Sequence, residues 1–164
     1  DWKSLAELSG PWEVAFDPTW GGPEKVTFDT LVDWTQHADA RVRYYSGTAT
    51  YSGRFEISNL KSQIFLDLGR VKNLARVCLN RKELGVVWTA PWRVDITDAL
   101  QAGANALEIA VVNLWPNRLM GDAPLPADQR RTKTNVRKFD KPGLPLMESG
   151  LLGPVTLQVR AEGK

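Results

Sequence analysis

Short stretches of alternating apolar and polar residues, each soon interrupted by turn residues, recur along almost the whole of this sequence. A side-chain period of two puts every other residue on one face of an extended strand, so such a chain buries one face and wets the other. Trp12-Glu13-Val14-Ala15-Phe16 alternates and stops at Asp17-Pro18. Thr48 to Ile57 sets Ala49, Tyr51, Phe55 and Ile57 on one side, and Gln63 to Leu68 does the same with Ile64, Leu66 and Leu68. Leu74 to Asn80 enters the polar turn Asn80-Arg81-Lys82 and returns through Leu84 to Val87, the pattern of a hairpin. Trp92 to Ile96, Ala106 to Val112 and Val155 to Val159 complete the series, with Leu107, Ile109 and Val111 inward. No segment longer than a turn or two carries a helical stripe. The expected class is all-β, a sandwich or jelly roll.

Two regions depart from the pattern. Residues 17–47 mix turn residues with scattered aromatics, and a helical turn fits around Leu31-Val32-Asp33-Trp34. Thr97 or Asp98 can cap another turn, Ala99-Leu100-Gln101, that ends at Gly103. A long irregular loop spans about 114–150, opening with Trp115-Pro116-Asn117-Arg118, and loops of that length often carry function. One domain, 1–164, accounts for the chain, whose length is enough to bury a core without disulfide or metal. It opens at Asp1 with neither initiator methionine nor apolar leader, as a processed or excised fragment would.

Composition removes several functions. The net charge of +2 calls for neither nucleic acid nor an anionic membrane, and no apolar run is long enough to span a bilayer. Cys78, the only cysteine, lies in the apolar run Ala75 to Leu79 and reads as a buried small hydrophobe. His37, the only histidine, sits in a polar stretch with no nucleophile elbow elsewhere, so it reads as a surface residue. Cysteine–histidine clusters for zinc and glycine-rich phosphate cradles are missing. No cofactor is expected; calcium, through loop carboxylates and carbonyls, is the weaker alternative. Of the carboxylates, Glu148 and Asp122 in the long loop are the least ordinary, but a solvated or structural role is the default. Arg130-Arg131-Thr132-Lys133 with Arg137, Lys138 and Lys141 forms the one basic concentration, read as a solvated loop. The chain carries no self-contained active site.

Binding fits better. Seven tryptophans against three tyrosines and five phenylalanines imply a large core or a stacking surface. A sugar is gripped by an aromatic ring on its C–H face and by amide, carboxylate or guanidinium groups at its hydroxyl rim. Trp88 and Trp115 lie at strand ends or loop entries and are the candidate platforms, whereas Trp2, Trp12 and Trp92 read as packing residues. Asn113 continues the inward parity of Val111, and Asn117, Arg118 and Asp122 follow Trp115, so these four are the candidate polar partners.

Leu79-Asn80-Arg81-Lys82-Glu83-Leu84-Gly85, Pro91-Trp92-Arg93-Val94-Asp95-Ile96-Thr97 and Gly103-Ala104-Asn105-Ala106-Leu107 resemble the galactose-binding-like, sugar-binding jelly roll of family 2 glycoside hydrolases. Gly10-Pro11-Trp12-Glu13-Val14, Phe16-Asp17-Pro18, Trp20-Gly21-Gly22-Pro23, Tyr45 to Tyr51, Asn113 to Arg118 and Ser149 to Val155 narrow the likeness. Together they resemble the C-terminal β-sandwich of bacterial α-L-rhamnosidase-type hydrolases over nearly the whole chain. Glu148, where that pattern has a proline, departs from it. The resemblance implies a non-catalytic carbohydrate-binding module of a secreted or periplasmic enzyme that degrades plant cell-wall polysaccharide. Its partners would be a poly- or oligosaccharide and the parent's catalytic domain, on which such a module can alternatively dock without binding sugar itself. Asn113 to Asp122 is the loop it would lend to a catalytic pocket.

Overall fold

The computed structural model describes residues 2–58, 62–141 and 143–160. Twelve strands are formed among them: β1 (Trp2–Glu7), β2 (Trp12–Phe16), β3 (Val26–Phe28), β4 (Thr48–Ile57), β5 (Ile64–Asp67), β6 (Arg70–Lys72), β7 (Leu74–Leu79), β8 (Lys82–Val87), β9 (Arg93–Asp95), β10 (Gly103–Val112), β11 (Gly150–Gly153) and β12 (Thr156–Arg160). Two short helices accompany them, α1 (Ala40–Arg43) and α2 (Pro116–Asp122). The strands pair antiparallel into a six-stranded sheet, β3-β2-β4-β10-β7-β8, a four-stranded sheet, β1-β12-β5-β9, and a two-stranded ribbon, β11-β6.

Alternation decides what each sheet buries. Trp12, Val14 and Phe16 of β2, Ala49 and Tyr51 of β4, Val77 and Leu79 of β7, and Leu107, Ile109 and Val111 of β10 meet Ile64, Leu66, Val94 and Leu157 of the smaller sheet in one core. Each fully buried Leu, Ile or Phe contributes roughly 1.5–3 kcal/mol, so the sandwich has ample drive to close. Phe55 and Ile57 lie on the same side as Ala49 and Tyr51 but are only partly covered, since they run past the core's edge. The β7–β8 hairpin turns on two residues, Asn80 and Arg81, both left-handed, and Lys82 already pairs with Leu79.

Three expectations are corrected. The turn near Gly103 is a 3₁₀ turn at Thr97–Ala99, and neither Thr97 nor Asp98 caps it; Asp95 accepts the Thr97 N–H at 3.0 Å instead. Cys78 is half-buried, because it alternates with inward Val77 and Leu79 and so faces outward on β7. Trp2 is exposed on the outer face of the smaller sheet, edge-on to Phe65 and beneath the Arg93 guanidinium. Trp12 is core and Trp92 packs against it, as expected.

Candidate functional site

Cross-strand register defines one end of the six-stranded sheet. Phe16 pairs with Ala49, Ala49 with Val111, Val111 with Ala75, and Ala75 with Val87, a row across β2, β4, β10, β7 and β8. Just beyond that row the chain releases its bare tryptophans. Trp88 directly follows Val87 and is 73% exposed; Trp115, at the start of α2 after β10, is 69% exposed. The structure therefore brings the two nominated indoles to one end, two strands apart. A third indole shares that end: Trp20, 57% exposed, closes the 3₁₀ turn Pro18–Trp20 that follows β2. Sequence reading missed it because alternation cannot tell which end of a sheet a turn occupies.

The four nominated polar residues lie beneath this end and are occupied by the protein itself. Asn113 accepts the Gly47 N–H at 3.0 Å and donates to the Tyr45 carbonyl at 2.8 Å and the Ser149 hydroxyl at 3.2 Å. Asn117 accepts from the Met147 N–H at 2.8 Å and donates to the Met147 carbonyl at 2.7 Å and to Ser149 Oγ at 3.0 Å. Asp122 pairs with Arg118 at 2.8 Å and accepts from the Thr132 N–H and hydroxyl at 2.8 and 2.7 Å. Asn113, Asn117 and Asp122 are buried and the Arg118 side chain nearly so. Buried polar groups with partners of their own hold loops in place and are not offered to a ligand in this arrangement. They fix the chain around Trp115 and tie the long loop to the sandwich.

Other titratable groups are similarly spoken for. His37 stacks on Phe28 and accepts the Asp39 N–H through Nδ1 at 3.1 Å. Glu148 pairs with Arg70 at 2.6 Å and Lys72 at 3.6 Å; the Arg70 hydrogen bond holds its carboxyl below the usual range. It is therefore ionised at neutral pH and a poor proton donor. In the basic segment, Arg130 donates to the carbonyls of Leu125 and Ala123, while Arg131 reaches across to lie against Gly21. No group of three or more His, Cys, Asp or Glu able to hold a metal occurs among the described residues. A small cleft of about 170 Å³ beside Trp115's strand end is lined by Lys72, Asn73, Leu114, Met147, Glu148 and Ser149. Leu114, Met147, Leu144 and Val136 are exposed apolar side chains of the same region of chain.

Comparison with known proteins adds four findings. The family described as "Glycosyl hydrolase 2 galactose-binding domain-like" matches residues 28–141. A rhamnosidase from Novosphingobium sp. PP1Y superposes with a TM-score of 0.90 at 40% identity, over 96% of this chain and 15% of that one. A Formosa agariphila protein named "Putative beta-glucuronidase" is 38% identical over 94% of this chain, which spans only 16% of its length. β-Glucuronidases from Lactobacillus rhamnosus (22% identity, TM-score 0.58, 68% of this chain and 21% of that one) and Ruminococcus gnavus (20%, 0.67, 94% and 28%) share the fold.

Proposed function

The chain belongs to the glycosyl hydrolase 2 galactose-binding-like domains, a galactose-binding-like sandwich found within much larger glycoside hydrolases, and from that membership we propose that it is a non-catalytic carbohydrate-binding domain. Its ligand in this reading is a plant cell-wall polysaccharide or oligosaccharide, met by a secreted or periplasmic parent enzyme. The observation that carries the reading is the exposure of Trp88 and Trp115 at one end of the sheet. An indole so exposed costs solubility and gains nothing in the core, whereas it offers a flat apolar face on which a pyranose ring stacks. Asp122, buried and held by Arg118 and Thr132, and Glu148, paired with Arg70 and Lys72, fit structural carboxylates in this reading.

A second reading has its own support. Leu114, Leu144, Met147 and Val136 form exposed apolar surface along the loop from Leu114 to Met147, which suits docking on a neighbouring domain of the parent enzyme. Calorimetric titration with rhamnogalacturonan, xylan and β-glucan separates the two. Carbohydrate binding predicts saturable heat, weakened about tenfold by Trp88→Ala or Trp115→Ala, a loss near 1.4 kcal/mol. No heat with any glycan at millimolar concentration would refute it and leave docking as the function.

A further inference from the structure

Resting on the carbohydrate-binding reading, we infer that Trp20 is a third stacking platform and that the ligand is an extended chain of several sugars, not a terminal mono- or disaccharide. The three exposed indoles leave alternate strands of one sheet. The strand order β2-β4-β10-β7-β8 places Trp20 after the first strand, Trp115 after the third and Trp88 after the fifth. Hydrogen-bonded strands lie about 4.8 Å apart, so the three strand ends are about 10 Å from one another in sequence and about 19 Å from first to last. A pyranose in an extended chain advances by about one strand spacing. Such a chain laid across the strand ends passes two rings for each indole, and in a flat, ribbon-like glycan every second ring presents the same face. No terminal sugar reaches more than one of the three positions.

The turn bearing Trp20 is fixed before any ligand arrives. The Tyr45 hydroxyl accepts the Asp17 N–H at 3.1 Å and donates to the Thr48 carbonyl at 2.8 Å. Asp17 in turn accepts from the Thr19 N–H at 2.8 Å and hydroxyl at 2.6 Å. Gly21 closes the turn at φ +82°, its N–H bonding the Pro18 carbonyl at 2.9 Å. Any side chain there would also collide with the Arg131 guanidinium, which packs against it. Asp122 sets that arginine by holding its neighbour Thr132 through two hydrogen bonds. The exposed Trp20 indole offers a stacking face, and the Arg131 guanidinium against the next residue, Gly21, offers donors for a hydroxyl rim. Preorganisation of this kind reduces the ordering cost of binding.

Calorimetry on the full chain with disaccharides and hexasaccharides of xylan, mixed-linkage β-glucan and rhamnogalacturonan tests the inference. In the series that binds, the hexasaccharide is expected to bind at least about tenfold more tightly than the disaccharide. Trp20→Ala should abolish most of that gain, and Trp20→Tyr should restore part of it. Circular dichroism checks that both variants fold. Equal affinity for the two lengths, or a hexasaccharide affinity untouched by Trp20→Ala, would overturn the extended-chain inference while Trp88 and Trp115 stood as binding residues. Silence from all three series would overturn it together with the carbohydrate-binding reading.

Discussion

Asn113 and Asn117 meet at one hydroxyl, that of Ser149, which also bonds the Met147 carbonyl at 3.0 Å. Truncating either amide strands buried donors and acceptors, each costing about 1–3 kcal/mol. Asn113→Ala and Asn117→Ala should each lower the urea midpoint by the equivalent of about 2–4 kcal/mol. Because they share Ser149, the double variant should lose less than the sum by at least about 0.5 kcal/mol. Full additivity would mean that the network is not one unit. Tyr51 offers a second test at this scale. Burial, outweighing the hydrogen bonds its oxygen accepts from Leu151 N–H and Trp34 Nε1–H, pushes its phenol up to about 12. An unfolded tyrosine ionises near about pH 10, so between there and about 12 the folded chain holds the proton that the unfolded chain releases. Stability is then complete below that window and falls as pH rises through it. Urea midpoints should decline across that range, and Tyr51→Phe should flatten the decline while lowering the plateau, since two buried donors lose their acceptor. The inward parity of Asn113 was legible in the sequence. Its partners were not, because Gly47 and Tyr45 lie 66 and 68 positions away and meet it only in the folded sheet.

At the level of elements, α2 carries the clearest mark of its surroundings. Gly121 lies within this helix, where alanine would ordinarily gain about 1 kcal/mol. A Cβ there would stand 2.6 Å from Tyr44 Cγ and 2.7 Å from Tyr44 Cβ, space the tyrosine already fills. Gly121→Ala should therefore destabilise the protein, by about 1–3 kcal/mol in urea unfolding, against the direction helix propensity gives. A gain in stability would show that the ring yields freely. The long strands were legible wherever one face is buried: β4 and the β7–β8 hairpin follow their alternating stretches, and β10 contains its own but begins three residues earlier, at Gly103. β1 was not, because all six of its residues are exposed at a sheet edge and alternation has no buried face to mark. β3 and β6, of three residues each, and β11, of four with two glycines, are too short or too bare for a period to register. Helix α2 hid inside the long loop for a similar reason, since only Asn117, Leu119 and Asp122 of its seven residues are buried and two of those are polar.

Taken whole, the molecule separates support from presentation. The core and the polar network beneath Asn113 hold one end of the larger sheet, and that end displays Trp20, Trp115 and Trp88. The frame is that of the family, and what it exposes at this end are the three indoles. Every indole carries one N–H, so the two-dimensional ¹⁵N spectrum of the protein reports its seven tryptophans separately. That spectrum, recorded during titration with the glycan that binds in calorimetry, is the most direct test. The Trp88 and Trp115 indole signals should move and saturate together, with Trp20 joining them for long chains, while buried Trp12 and Trp34 stay still. Stationary Trp88 and Trp115 signals under saturating glycan, or shifts confined to other tryptophans, would contradict the assignment of this end as the carbohydrate-binding surface.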